Sequence, residues 1–246
     1  MLIGKDLLPK EKTLLRELLF KREGCLAWEW SHMSIIFPEV MPPQRIKTVP
    51  HEAWQHPGFR IPMALKGTVE EMLQERLQKG VLEHCDGPYR NPWFLVRKKA
   101  SGKYRLVNAA MMINKVTIRD ANMPPDADEF VEEFAGMAMT SAVDLFSGYD
   151  QIPLDERDRN MTAIQTPLGL LRQTTLLQGA TNSVPQFQRV ISWILLSVLA
   201  FAKPFMDDVP VKGPRTRYND EFVRPGIRKF VLEHLQNLDK TLYLLS

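Results

Sequence analysis

The sequence has almost no cysteine. Its 246 residues include only Cys25 and Cys85, in no paired spacing, which excludes a disulfide framework and argues against a zinc knuckle. It also lacks an apolar run long enough to span a bilayer. The longest, Val190 to Ala202, is interrupted only by serines and covers 13 residues, against the ~20 a spanning helix needs. Lys5 and Asp6 stand where a secretory leader requires an apolar stretch. The expectation is an intracellular protein, cytoplasmic or nuclear, neither secreted nor membrane-embedded. Internal repeats and low-complexity tracts are absent too. The net charge is only +3, so bulk charge selects no partner.

One sign of charge is missing locally. From Gly87 to Arg119 there is no acidic residue, while Arg90, Arg97, Lys98, Lys99, Lys103, Arg105, Lys115 and Arg119 fall in the same stretch. Tyr89, Trp93, Phe94 and Tyr104 are interleaved with them. Basic residues with aromatics on a hairpin suit phosphate and base contacts; a merely solvated basic face is the bland alternative.

What is present is an ordinary globular composition. Hydrophobic residues make up 44% and charged residues 25%, enough for a core in one large domain or two small ones. Leu14, Leu15, Leu18 and Leu19 predict an amphipathic helix over 8–22, for packing or docking. Six prolines between Pro38 and Pro62 predict an extended strap, pinned by Trp54 and Phe59. Residues 67–79 predict a helix with a Thr68/Glu71 capping box and a Gly80 stop. Strands are predicted at 93–98 and 103–107, at 139–144, at 161–166 and 171–176, and at 201–206 and 209–212. Helices are predicted at 127–135, from Asn182 to about Leu199, and at 225–245. Helices and short antiparallel strands are mixed, so the predicted class is α+β.

Three carboxylates carry the candidate chemistry. Asp207 and Asp208 follow Phe205-Met206 and precede Val209, a pattern for a tight hairpin with both acids at its tip. Ionised together against a core they need a cation or strong donors, and Mg²⁺ is the usual partner of oxygen ligands. In an exposed loop the same pair is only a solvated turn. Asp144 ends the mostly apolar run from Thr140; it is either a third ligand or a helix N-cap. Three carboxylates from two strands suit two divalent ions and phosphoryl or nucleotidyl transfer. Gly179, ahead of a helix start, lets backbone approach a ligand or simply turns the chain.

These segments, in this order, resemble the motifs of reverse transcriptases. Val143 to Tyr149 is similar to the family's first catalytic motif, Leu177 to Asn182 with Phe187 to the second, and Phe205-Met206-Asp207-Asp208 to the third. Val96 to Lys99, Lys103 to Arg105 and Ile113 to Thr117 resemble its fingers motif, preceded by a similar Pro88 to Trp93 strap. The likeness is strongest to gypsy-type LTR retrotransposon polyproteins of the fungal kind, over roughly residues 35 to 243. Asn108, Leu177 and Pro210 depart from the common pattern, Pro210 by removing a donor from an expected strand.

The resemblance implies a right-hand polymerase with fingers and palm and an antiparallel palm sheet packed on helices. Residues 1–37 would be a helical extension, 38–62 the strap, 63–122 the fingers, and 123–246 the palm, with about 152–177 returning to the fingers. It implies Asp144, Asp207 and Asp208 as catalytic ligands of two Mg²⁺ ions, or Mn²⁺. Lys98 and Arg105 would clamp a triphosphate, with Leu145, Phe146, Gln178 and Gly179 around the nucleotide. Tyr149 would exclude a 2′-hydroxyl, and Phe205 and Met206 would lie at the primer terminus. Implied partners are an RNA or DNA template with primer, dNTPs, and the remaining polyprotein domains. No thumb, RNase H or integrase segment is recognised up to Ser246. A truncated or decayed remnant that binds nucleic acid without polymerising is the second reading. An unrelated metal-dependent nuclease or nucleotidyltransferase is the third, and it explains neither Tyr149 nor the fingers motif.

Overall fold

The computed structural model describes residues 2–97, 102–122 and 125–246. In chain order the helices are α1 (Pro9–Lys21), α2 (Lys66–Gln78), α3 (Met111–Val116), α4 (Ala127–Phe134), α5 (Glu156–Arg159), α6 (Ser183–Ile194) and α7 (Lys229–Leu244). The strands are β1 (Leu82–His84), β2 (Trp93–Arg97), β3 (Tyr104–Asn108), β4 (Thr140–Asp144), β5 (Ile164–Thr166), β6 (Gly169–Gln173), β7 (Asp208–Lys212), β8 (Phe222–Arg224) and β9 (Ile227–Arg228). All strand pairing among the described residues is antiparallel, and with the helices this is an α+β fold. Among these residues no helix is long and apolar enough to cross a membrane. The chain divides into two compact units: Met1–His32, Pro124–Phe146 and Gln188–Ser246 form the first, and Met33–Met123 with Ser147–Phe187 the second.

In the first unit β4 and β7 pair in the register Thr140↔Lys212 through Asp144↔Asp208. Alternation sends Val209 and Val211 inward, both fully buried. They meet α7, whose Phe230, Val231, His234, Leu235, Leu238 and Leu242 make one buried stripe. Below β4, His234 Nε2 and Ser141 Oγ share a hydrogen bond of 2.7 Å. α1 packs against α7, as a packing helix. It starts with Pro at its first position, and the Glu11 carboxylate accepts the Leu8 N–H at 2.8 Å.

In the second unit β1, β6 and β5 form a three-stranded sheet in that spatial order, and β2 and β3 form a hairpin. Val69 and Leu73 of α2 pack with Leu82, Trp93, Ile164 and Leu171 in one core cluster. The strap from Pro38 to Pro62 contains no helix or strand beyond isolated bridges, as its prolines dictate. Trp54 is buried and donates from Nε1 to Asn91 Oδ1 at 2.8 Å. Phe59 stays 59% exposed, touching the Phe94 ring edge-on, so it pins the strap less than Trp54 does.

Several local expectations are corrected. α2 begins earlier, out of a 3-10 turn at Met63–Leu65, so Thr68 lies inside the first turn and caps nothing. Gly80 does end it, at φ +70. α6 stops at Ile194 and gives way to a 3-10 turn at Leu196–Val198. Residues 201–206 form only two isolated bridges, Ala202↔Val211 and Phe205↔Asp208. The Lys212 N–H points to Phe201 O at 2.8 Å, so the nitrogen of Pro210 faces the same way. Pro210 therefore deprives that side of a donor, while the β4–β7 ladder loses none; Pro204 faces the other way, because the adjacent Phe205 N–H is the one that donates to Asp208 O. The helix expected from Pro225 begins at Lys229; ahead of it β8 and β9 form a hairpin around Gly226, at φ +81. The expected turn at Ala100-Ser101 lies outside the described residues.

Candidate active site

The carboxylates sit where β4 ends and β7 begins. Asp144 and Asp208 are directly opposite. The Leu145 N–H donates to Asp207 O at 2.8 Å, which makes Asp144 and Asp208 a non-hydrogen-bonded pair, the closer kind. Like charges directly opposite destabilise a strand pair, and both side chains are exposed on the outer face. Ahead of Asp208 the chain turns in two residues, Met206 and Asp207. Phe205 N–H donates to Asp208 O at 2.8 Å and Asp208 N–H to Phe205 O at 3.1 Å. Met206 takes φ +53 at the first central position. The Phe205 ring lies 4.8 Å from the Phe130 ring of α4.

Asp207 is the unusual group. Its Oδ1 is buried with no hydrogen-bond partner among the described residues. Burial raises its pKa, and the neighbouring Asp144 and Asp208 carboxylates raise it further. Leu145 and Phe146 follow β4 in the same unit, where Phe146 meets the edge of Trp30 at 6.4 Å. Among the described residues no three His, Cys, Asp or Glu side chains are gathered as a ready-made metal cage. The donor chemistry nonetheless fits a divalent cation: oxygen ligands, mutually repelling, with one buried oxygen lacking a donor.

The other sequence-predicted residues fall in the second unit. Tyr149 lies in a 3-10 turn, Gly148–Gln151, and its ring stacks on Phe187 at 4.7 Å and 26°. Ser147, at φ +50, ties that turn by donating to Asp150 Oδ2 at 2.8 Å. Gln178 and Gly179 are exposed, with Gly179 at φ +94. Asn114 clamps their loop: its Nδ2 donates to Gly179 O at 3.0 Å and its Oδ1 accepts the Thr181 N–H at 2.8 Å. Arg105 is exposed on β3, opposite Val96. Lys98 lies outside the described residues. Asn182 spends its side chain on the Asp120 N–H at 3.0 Å and on Ile118 O at 2.8 Å.

Sequence reasoning missed Gln188. Buried on α6, it donates from Nε2 to Pro204 O at 2.7 Å and accepts the Met206 N–H at 3.3 Å. Its position one residue after Phe187 gives no sequence signal for that role.

Residues 96–240 match the family model described as reverse transcriptase (RNA-dependent DNA polymerase). The chain is 32% identical over 146 residues to a retrovirus-related Pol polyprotein from transposon 297 of Drosophila melanogaster, covering 57% of this chain and 14% of that protein. It is 30% identical over 145 residues to the enzymatic polyprotein of cauliflower mosaic virus strain D/H, covering 58% of this chain and 22% of that one. The chain thus spans a small fraction of these relatives. In fold it is similar to a foamy viral protease–reverse transcriptase in complex with double-stranded DNA (TM-score 0.81, 22% identity, 98% of this chain and 39% of that one). A structure of the foamy viral protein with an RNA/DNA hybrid gives TM-score 0.80 at 20% identity, over 98% of this chain and 30% of that one.

Proposed function

This chain belongs to the reverse transcriptase (RNA-dependent DNA polymerase) family, and from that premise we propose that it is a polymerase core that adds deoxynucleotides to a primer 3′ end. The template would be RNA or DNA, and the setting intracellular. The observation that carries the reading is Asp207, whose partnerless buried oxygen lies in the field of Asp144 and Asp208. We assign these three carboxylates to two Mg²⁺ ions, or Mn²⁺. Bound there, such ions would activate the attacking hydroxyl and neutralise the leaving pyrophosphate.

The chain's own residues supply positioning and charge. In this reading residues 123–246 are the palm and 63–122 the fingers, to which about 152–177 return. Lys98 and Arg105 attract the triphosphate. Leu145, Phe146, Gln178 and Gly179 are each assigned to nucleotide binding, with the Gly179 loop held in shape by Asn114. Tyr149, its ring fixed against Phe187, stands where a 2′-hydroxyl would clash. Phe205 and Met206 meet the primer terminus. The origin we assign is a gypsy-type LTR retrotransposon of the fungal kind; the transposon relatives support a mobile-element source. Thumb, RNase H and integrase domains of a longer polyprotein are its proposed partners.

Primer extension tests this. With an RNA template, dNTPs and Mg²⁺, the chain extends a primer and Asp207→Asn does not. Should the chain alone be silent, a thumb domain from a relative is added in trans. Silence in both arms leaves the nucleic-acid-binding remnant as the better reading, and extension unaffected by Asp207→Asn overturns the site.

A further inference from the structure

The turn that carries Asp207 is strained at Met206. A non-glycine residue at φ +53 costs about 1–2 kcal/mol, and a turn with positive φ at its first central position prefers Gly there. Such strain persists only where surroundings over-determine it. The hairpin's own bonds join Phe205 to Asp208; they close the turn but leave the Met206 N–H free to reorient.

Gln188 supplies the missing constraint. It is 5% exposed, so its amide is costly unless bonded. Both ends are used, and on either side of Phe205. Nε2 donates to Pro204 O at 2.7 Å, and Oε1 accepts from Met206 N at 3.3 Å. Ser192, one turn along α6, lies 3.5 Å from Nε2 and helps to orient the amide. Packing on one side of this segment is incomplete: an open cleft of about 260 Å³ lies beside Pro204, lined also by Phe130, Ser192, Leu199 and Gln188 itself.

We propose that Gln188 is a positioning residue: its amide holds Met206 in the left-handed conformation and so sets where Asp207 points. The inference rests on reading Asp207 as a metal ligand. It makes a demand that a plain core role does not. If Gln188 acts by enforcing the strained φ, a glycine at position 206, free of that strain, removes most of the need for it.

The test uses the whole chain, Gln188→Met, and Gln188→Met combined with Met206→Gly. Amide exchange is followed at Met206, with Val211 in the β4–β7 ladder as control, and Mn²⁺ binding by EPR. In Gln188→Met the Met206 amide should exchange about tenfold faster, the scale of one lost hydrogen bond. Val211 should be unchanged and Mn²⁺ affinity lower by a similar factor. Adding Met206→Gly should recover part of that affinity. Unchanged Met206 protection, no recovery with glycine, or failure of both variants to fold would each overturn the proposal. A wild-type chain that binds no Mn²⁺ sinks the metal reading instead, and the exchange arm still decides the role of Gln188.

Discussion

Asp207 is a carboxylate in conflict with its surroundings. Burial and two neighbouring acids oppose its charge, and none of the described residues donates to its Oδ1. The sequence announces this group because charged residues end two otherwise apolar strands. Gln188 is silent by comparison: its partners lie 16 and 18 residues away, and a glutamine inside a helix carries no mark of what it reaches. Tyr149 is intermediate. Its place in the motif is legible, whereas the stacking on Phe187 that fixes its ring is a tertiary fact. Tyr149→Val should raise ribonucleotide incorporation relative to deoxynucleotide by about 10- to 100-fold, the range one excluded hydroxyl commands in a pocket. Competitive primer extension with rNTP and dNTP measures it; an unchanged ratio removes Tyr149 from sugar selection.

The β4–β7 pair over α7 is the element that presents the carboxylates. Its inward valines and the stripe on α7 follow the periods that sequence reading detects. The β8–β9 hairpin was readable in principle, since Pro225-Gly226 is a turn signal. The apolar residues that follow belong to α7 and drew the predicted helix start forward. The missing strand at 201–206 has a cause in Pro210, whose effect depends on which way its nitrogen faces, a register property. His234 gives this element a pH dependence. Burial lowers its pKa from 6.5 to about 4, so on acidification the unfolded chain takes up the proton first. Stability is complete above pH 6.5 and falls as pH drops from 6.5 toward 4. At roughly 1.4 kcal/mol per unit the loss reaches about 3 kcal/mol. Urea unfolding at a series of pH values should show this decline, and His234→Gln, which cannot titrate, should flatten it. A decline of equal size in the variant would assign the acid sensitivity elsewhere.

At the scale of the molecule, the order of the motifs is legible in the sequence, but the interleaving of two units from five segments is not, because long-range contacts decide it. The bond between Glu11 and Arg228 is one such contact. Glu11 is fully buried and accepts from Arg228 Nε at 2.9 Å, Nη2 at 2.8 Å and backbone N at 3.0 Å. Removing one partner of such a pair strands the other charge, so Glu11→Ala should cost about 3–5 kcal/mol in denaturant unfolding. A cost below about 1 kcal/mol would mean that α1 is only loosely held. The central claim, that Asp144, Asp207 and Asp208 form a divalent-cation site, is independent of any further domain. It is tested most directly by thermal melting at pH 7 of the chain and of Asp207→Asn, each in EDTA and in Mg²⁺. Because the folded-state pKa of Asp207 is raised, its ionisation opposes folding, a penalty that builds as pH rises above the ordinary carboxyl range and that asparagine does not carry. The variant should therefore melt a few degrees higher than the parent in EDTA, while Mg²⁺ should raise the parent and leave the variant unmoved. Equal responses of the two proteins to Mg²⁺ would contradict the claim.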